Sequence, residues 1–192
     1  SIYDKNLFRN NHDINLSSLS FLFSEMISLS QSNSKGIQHL EKKLNNLGYS
    51  IGIKYLELIN LRENYINNLN SNKNYVNGRR EIRIIELLQF IHTKVWKSLF
   101  GKIANNLEKS SDKLNEYMIT DDEPIFSKFI SIPKDFGDLN CCAFVAGIIE
   151  GITDSAYLQA TVTAHTVASA EFPTRTVYLI NFNEDVIKRE KL

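Results

Sequence analysis

The sequence has few of the features that mark secreted proteins, membrane proteins or nucleic-acid-binding proteins. Of its 192 residues only two are cysteines, and Cys141 and Cys142 are adjacent, so a disulfide between them would be strained. Lysine plus arginine (22) equals aspartate plus glutamate (22), which leaves no strong field to attract nucleic acid or an anionic membrane. No apolar run approaches the roughly 20 residues of a membrane-spanning helix, and no basic-then-apolar signal opens the chain. We therefore expect a soluble cytosolic protein in a reducing compartment, with no transmembrane segment and no nucleic-acid partner.

Residues able to carry chemistry are also sparse. The histidines His12, His39, His92 and His165 lie far apart, without metal-ligand spacing to each other or to the cysteines. No glycine-rich phosphate loop follows a predicted strand. A helix N-terminus near the two cysteines would lower a thiol pKa, but no histidine is close in sequence, and we interpret both as small buried hydrophobic residues. The sequence thus predicts no catalytic residue, no metal and no cofactor.

The most distinctive stretch is LNCCAFVAGIIEGIT, at residues 139–153. It contains one charged residue, and its apolar residues surround the whole circumference of a helix, which predicts a helix buried on several sides. Each glycine costs a helix about 1 kcal/mol relative to alanine, so two glycines four residues apart indicate close contact with another backbone. The residues that we expect to build this buried structural helix are Cys142, Val145, Gly147, Ile149 and Gly151.

The first half of the chain has helical periodicity. It predicts helices over residues 16–31, 37–63 and 79–100, the last ending at Gly101. Within the second helix, Gly48 and Gly52 either break the helix or admit a very close neighbour, and their position on one face favours the neighbour. Residues 64–78 are rich in asparagine and predict a surface loop, and residues 1–15 predict a flexible N-terminus.

The second half changes to the period of strands. Strands are predicted over residues 114–120, 128–132, 159–166 and 175–182, with a further helical turn or two over 103–109 and a short helix over 183–192. The order is strand, strand, buried helix, strand, strand. This predicts one α+β domain over residues 1–192, with N-terminal helices packed on a four-stranded antiparallel sheet and the buried helix between the two strand pairs.

The first two predicted helices have an apolar face that is wider than one core requires. Phe21 and Leu29 lie off the main stripe of the first helix, which indicates either a partner surface or simple burial. The residues that we expect to present this face to a partner are Leu19, Phe23, Met26, Ile27, Leu40, Leu44 and Ile51.

Several long motifs carry a family resemblance. They are SLSFLFSEM at residues 18–26, LGYSIGIKYLE at 47–57, VWKSLFGK at 95–102, FISIP at 129–133 and LNCCAFVAGIIEG at 139–151. In this order they resemble the small-subunit family of the TRAPP (transport protein particle) complex, most closely its subunit 5 type. The resemblance covers nearly the whole chain from residue 16, apart from the asparagine-rich segment.

The resemblance implies a non-enzymatic scaffold subunit. Such a chain would work inside an assembly that tethers vesicles and promotes nucleotide exchange on an early-secretory Rab GTPase during ER-to-Golgi transport. It would be cytoplasmic, peripheral at Golgi and ER membranes, and paired with another TRAPP small subunit as an obligate heterodimer, or with itself in isolation.

An alternative function is the binding of an apolar small molecule or lipid, since relatives of this fold enclose apolar ligands. One family member carries an acylated cysteine after its LGYSIG-like helix. Residues 62–80 of this chain contain no cysteine, so the lipid-carrying role does not transfer.

Overall fold

The fold is a layer of helices on one face of an antiparallel sheet, as seen in a computed structural model of the chain. The structure describes residues 14–70, 83–133, 136–137 and 139–190. Helices α1 (Leu16–Ser32) and α2 (Ile37–Asn70) come first, followed by α3 (Ile84–Phe90), a π-helical turn (Ile91–Val95) and α4 (Trp96–Phe100). Helix α5 (Ala143–Ser155) lies between the two strand pairs, and α6 (Glu184–Glu190) ends the described chain. This arrangement confirms the predicted α+β class.

The sheet contains four antiparallel strands in the spatial order β1-β2-β4-β3. They are β1 (Asn106–Lys109), β2 (Glu116–Asp121), β3 (Ala160–Thr166) and β4 (Thr176–Phe182). In the central strand β4, every second side chain from Thr176 to Phe182 is buried, as expected when helices cover one face. Trp96 of α4 packs edge-on against Tyr178 of β4, with ring centroids 5.4 Å apart.

One strand of the sheet differs from the sequence prediction. Residues 106–109 form the edge strand β1 where a helical turn was expected, and residues 128–132 form turns where a strand was expected. Ser127 N–H bonds to the Pro124 carbonyl at 3.3 Å and Ile130 N–H to that of Ser127 at 3.2 Å, so this segment folds on itself. Ile130 and Ile132 pack on the core without joining the ladder, while Phe129 is 55% exposed, and this alternation explains why the pattern resembled a strand.

The helix boundaries agree with the sequence in most places, with one correction. Helix α2 continues to Asn70, so the predicted loop over residues 64–78 is wrong for 64–70, while 71–78 lie outside the described residues. Residues 1–13 of the predicted flexible N-terminus also lie outside them. Gly101 ends α4 in the left-handed conformation, with φ of 75°, and this confirms the predicted helix end. Among the described residues, no helix combines the length and the apolarity needed to cross a membrane.

Helices α2 and α5 are joined at their glycines. A Cβ atom on Gly48 would lie 1.9 Å from the Phe144 carbonyl oxygen, and one on Gly147 would lie 2.0 Å from that of Asn45. A Cβ atom on Gly52 or Gly151 would likewise lie 2.3 or 2.4 Å, respectively, from a carbonyl oxygen of the other helix. Real Cβ atoms do not approach this closely, so only glycine permits the two backbones to meet. The predicted close neighbour at both glycine pairs is therefore confirmed, and it lies inside the chain.

Candidate protein–protein interface

Helix α1 is held to the rest of the molecule by one aromatic anchor. Asn15 caps the helix by accepting a hydrogen bond from Ser17 N–H at 2.9 Å. Eight residues further on, the Phe23 ring packs against Phe126 at 4.6 Å and Phe144 at 5.4 Å between centroids. Phe23 is 2% exposed, so this side of α1 belongs to the core.

The opposite side of α1 is apolar and exposed. Phe21, Leu22 and Leu29 are 78%, 60% and 67% exposed, respectively. Burying such side chains stabilises an association by about 25 cal/mol for each Å² of apolar surface removed from water. Three large apolar side chains exposed on one helix favour coverage by a partner.

A second set of exposed apolar residues lies on α2. An apolar stripe along α2 begins with Leu40 and Leu44, which are fully buried. It continues with Leu47 and Ile51, which are 43% and 41% exposed. We use the term outer helical face for six exposed apolar residues of the two helices, which are Phe21, Leu22, Leu29, Leu47, Ile51 and Leu61. Both helices are fixed by packing to the core, so the face is presented by rigid elements.

The structure separates the predicted interface residues into three groups. Phe23, Leu40 and Leu44 lie in the core, and the expectation that they face a partner is corrected, because the chain's own packing covers their side chains. Leu19, Met26 and Ile27 are half-buried, and Met26 and Ile27 pack against the core. Ile51 is exposed. Phe21 and Leu29 lie off the periodic stripe and are more exposed than any of these residues. Their position off the stripe is the feature of the sequence that indicated their exposure.

The five residues expected to build the buried helix all lie inside. Cys142, Val145 and Ile149 are 2% exposed or less, and Gly147 and Gly151 are buried against α2. Near this helix Tyr49 donates a hydrogen bond to Asp154, and Asn45 donates one to Glu150 at 3.3 Å. These polar contacts lie beside the glycine contact and fix the register of α2 on α5.

The two thiols lack the properties of a catalytic nucleophile. Burial raises the pKa of the Cys141 thiol to about 12, and the neighbouring Cys142 and Glu41 act in the same direction. Burial also raises the pKa of Cys142, although hydrogen bonding from Ser127, 3.5 Å from the sulfur, opposes the shift. A nucleophilic cysteine needs a lowered pKa. Across the described parts of the chain, no three histidine, cysteine, aspartate or glutamate residues cluster as a metal site would.

The described part of the chain is thus an α+β domain with exposed apolar side chains on its first two helices. The family model for transport protein particle (TRAPP) components matches residues 19–183. The chain therefore belongs to the TRAPP component family, which confirms the resemblance carried by its motifs.

Relatives agree with this assignment, and one solved structure has a similar fold. Trafficking protein particle complex subunit 5 of Dictyostelium discoideum is 50% identical over 191 residues, covering 98% of this chain and 96% of that protein. The human subunit 5 is 32% identical and covers 100% and 92%, respectively. A crystal structure of subunit 3 from Naegleria fowleri, covalently bound to palmitic acid, has a TM-score of 0.70 at 16% identity and covers 90% of this chain and 98% of its own. The subunit 5 relatives support the subunit 5 type, and the solved structure supports the fold.

Proposed function

We propose that this chain is a scaffold subunit of a TRAPP complex and that its outer helical face pairs with another TRAPP small subunit. The observation that carries the proposal is the exposure of Phe21, Leu22 and Leu29 on a helix that Phe23 holds rigidly to the core. Obligate interfaces between subunits are large and hydrophobic, which suits this face. The pairing is heterodimeric in the complex, and the isolated chain pairs with itself when no partner is present.

Because the chain belongs to the TRAPP component family, we extend the function of TRAPP complexes to it as a subunit. The assembly tethers vesicles in ER-to-Golgi transport and promotes nucleotide exchange on an early-secretory Rab GTPase. Exchange belongs to the assembly, and this chain contributes scaffold rather than catalysis. Its place at Golgi and ER membranes is peripheral and follows from the complex.

Lipid binding is not favoured for this chain. Covalent palmitate is a property of the solved subunit 3 and requires a cysteine that acyl donors can reach. The only cysteines here, Cys141 and Cys142, are both buried and their thiols stay protonated at neutral pH. The groove beside α5 is lined mainly by polar residues, which suits an acyl chain poorly.

Pairing is tested by Leu22→Asp in the chain co-expressed with TRAPP small subunits. We expect the variant to elute as a monomer in size-exclusion chromatography, while the unmodified chain elutes as a pair, because a charge would be desolvated at the interface. The thermal midpoint of the variant should stay within a few degrees of the unmodified value, since Leu22 is exposed.

Two further variants act as controls. Leu114→Asp makes the same change at a leucine that is 66% exposed outside the outer helical face, and it should pair normally. Phe23→Asp should lower the midpoint strongly, because it places a charge in the core. An unmodified chain that remains a monomer beside every small subunit would overturn the proposal, as would normal pairing by Leu22→Asp.

A further inference from the structure

Strand β3 is an edge of the sheet, and its free side faces a groove. In an antiparallel ladder, residues alternate between those that bond to the neighbouring strand and those that point away from it. Val167 N–H bonds to the Arg175 carbonyl at 2.9 Å, so the odd-numbered residues of β3 bond to β4. Val162 and Ala164 therefore direct their N–H and C=O groups to the open side.

The groove is bounded by α2, the N-terminal half of α5 and β3, and its volume is about 730 Å³. Its base is formed by small side chains, Ala143 and Ala146, and it lies within the size range of ligand sites in proteins. The polar residues that line it from α2 and α5 are Gln38, Glu41, Lys42, Asn45, Asn46 and Glu150. An extended segment lying here would be about 4.8 Å from β3 if it joined the sheet.

Two side chains hold the ends of the open edge and leave its middle accessible. Glu150 Oε2 accepts a hydrogen bond from Val162 N–H at 3.1 Å. Asn140 Nδ2 donates one to Thr166 Oγ1 at 3.1 Å. Between these two points lies Ala164, whose main chain faces the groove and whose methyl side chain blocks nothing. Edge strands are usually protected by charged side chains, proline or bulges, and Ala164 has none of these itself.

The groove also favours a positively charged occupant. The Glu41 carboxylate accepts a hydrogen bond from Asn140 N–H at 2.8 Å, and that of Glu150 accepts from Asn45 and Val162. In the described part of the chain, neither carboxylate has a lysine or arginine within salt-bridge distance. Lys42 also lines the groove, so the two carboxylates leave it with one net negative charge, which a lysine or arginine of a partner would neutralise.

We propose that this groove binds an extended, lysine- or arginine-bearing segment of a partner protein, which adds to β3 as a strand beside Ala164. Main-chain hydrogen bonds would supply affinity, and Glu41 and Glu150 would select the basic side chains. At 100° per residue, Glu41 and Asn45 lie on a different side of α2 from Leu47 and Ile51. The groove is therefore a second interaction surface, separate from the outer helical face.

The test uses the full chain paired with its partner subunit and fluorescein-labelled peptides of about ten residues. The peptides are alternating lysine and threonine, alternating glutamate and threonine, and the lysine peptide with alternate backbone amides N-methylated. Fluorescence anisotropy should show saturable binding of the lysine peptide only. N-methylation should abolish it, because methylated amides cannot pair with the strand edge. Equal binding of the glutamate or the N-methylated peptide would overturn the proposal.

Matched variants locate the site on the chain. Glu150→Gln keeps a carbonyl oxygen for Val162 N–H and should weaken binding about fivefold to tenfold through loss of the charge. Ala164→Pro removes an N–H that β4 does not use and should abolish binding. Glu184→Gln makes the same change at an exposed residue outside the groove lining and should bind normally. If Glu184→Gln weakened binding as much as Glu150→Gln, the groove would not be the site.

Two outcomes distinguish this proposal from others. Concentration-dependent protection of the Ala164 amide from hydrogen exchange, without peptide, would mean that a second copy covers the edge and would overturn it. Leu22→Asp should lose subunit pairing and still bind the lysine peptide. The experiments therefore distinguish a failure of the proposed subunit pairing from a failure of the proposed peptide binding in the groove.

Discussion

At the scale of single residues, the adjacent thiols show what burial does to a side chain that elsewhere is reactive. Cys141 and Cys142 are nearly inaccessible, and burial raises the pKa of both. In the folded chain they behave as small hydrophobic residues that complete the core above β4. The unfolded chain, in contrast, exposes two ordinary thiols, with pKa near 8.5.

This difference predicts a loss of stability in alkali. Because the folded pKa of Cys141 lies above its unfolded value, the unfolded chain releases the proton first. The stabilisation is complete below the unfolded pKa and is lost as pH rises towards 12. We expect the free energy of unfolding to fall by roughly 1 kcal/mol per pH unit above about pH 9 for this thiol, and less in Cys141→Ala.

Urea unfolding at about pH 8, 9 and 10 measures this effect. Burial also raises the pKa of the Tyr178 phenol, which adds an alkaline loss of its own, but that group is present in both proteins and cancels in the comparison. Parallel pH profiles for Cys141→Ala and the unmodified chain would show that the thiol is not the titrating group.

The choice of interface residues illustrates the limit of periodicity at this scale. A regular apolar stripe identifies the side of a helix that meets apolar surroundings, and for Phe23, Leu40 and Leu44 those surroundings are the chain itself. The apolar residues that break the period, Phe21 and Leu29, are exposed, but so is Ile51, which follows it. The role of Glu150 depends on its contacts with Asn45 and Val162, which no local pattern in the sequence brings together.

At the scale of elements, the contact of α2 with α5 depends on the absence of side chains. Four glycines place the carbonyl oxygens of one helix where Cβ atoms of the other would be. The sequence already predicted a close backbone neighbour at each glycine pair, because two glycines at a spacing of four cost a helix stability unless close packing compensates. What it left open was whether α5 met the sheet, a helix or a partner.

Gly147→Ala tests this contact. Alanine favours a helix over glycine by about 1 kcal/mol, yet its Cβ would lie 2.0 Å from the Asn45 carbonyl oxygen. We expect a net destabilisation of about 1–3 kcal/mol by overpacking, measured by urea unfolding. Ser50→Ala, on an exposed side of α2, should change stability by less than about 0.5 kcal/mol. Unchanged stability with lost subunit pairing would instead place α5 at the interface.

Strands were harder to predict than helices for a physical reason. Strand β1 is short and mostly exposed, so Asn106–Lys109 carries no alternating apolar pattern, and its place is fixed by pairing with β2. Residues 128–132 have the composition of a strand, but Ile130 and Ile132 pack against the core and the segment pairs with no described strand. Whether each of these two segments forms a strand depends on pairing with residues distant in sequence, and the local sequence contains little information about that pairing.

At the scale of the whole molecule, charge is balanced and the surface available for pairing is apolar. Pairing through the outer helical face should therefore depend little on salt, since screening acts on charges. We expect the Kd of the subunit pair to change less than about twofold between roughly 0.05 and 0.5 M sodium chloride, measured by sedimentation. A tenfold weakening would mean that ion pairs hold the subunits together.

The contact between α2 and α5 also determines when the chain can fold during its synthesis. Asn45 and Glu150 are 105 residues apart, so α2 leaves the ribosome long before the helix that covers its glycines exists. Until then the N-terminal half has no sheet and no α5 to bury Leu40, Leu44 and Phe23 against. Domains fold as units once their long-range contacts become available. Phe23, Leu40 and Leu44 therefore reach their full packing only after α5 has been translated.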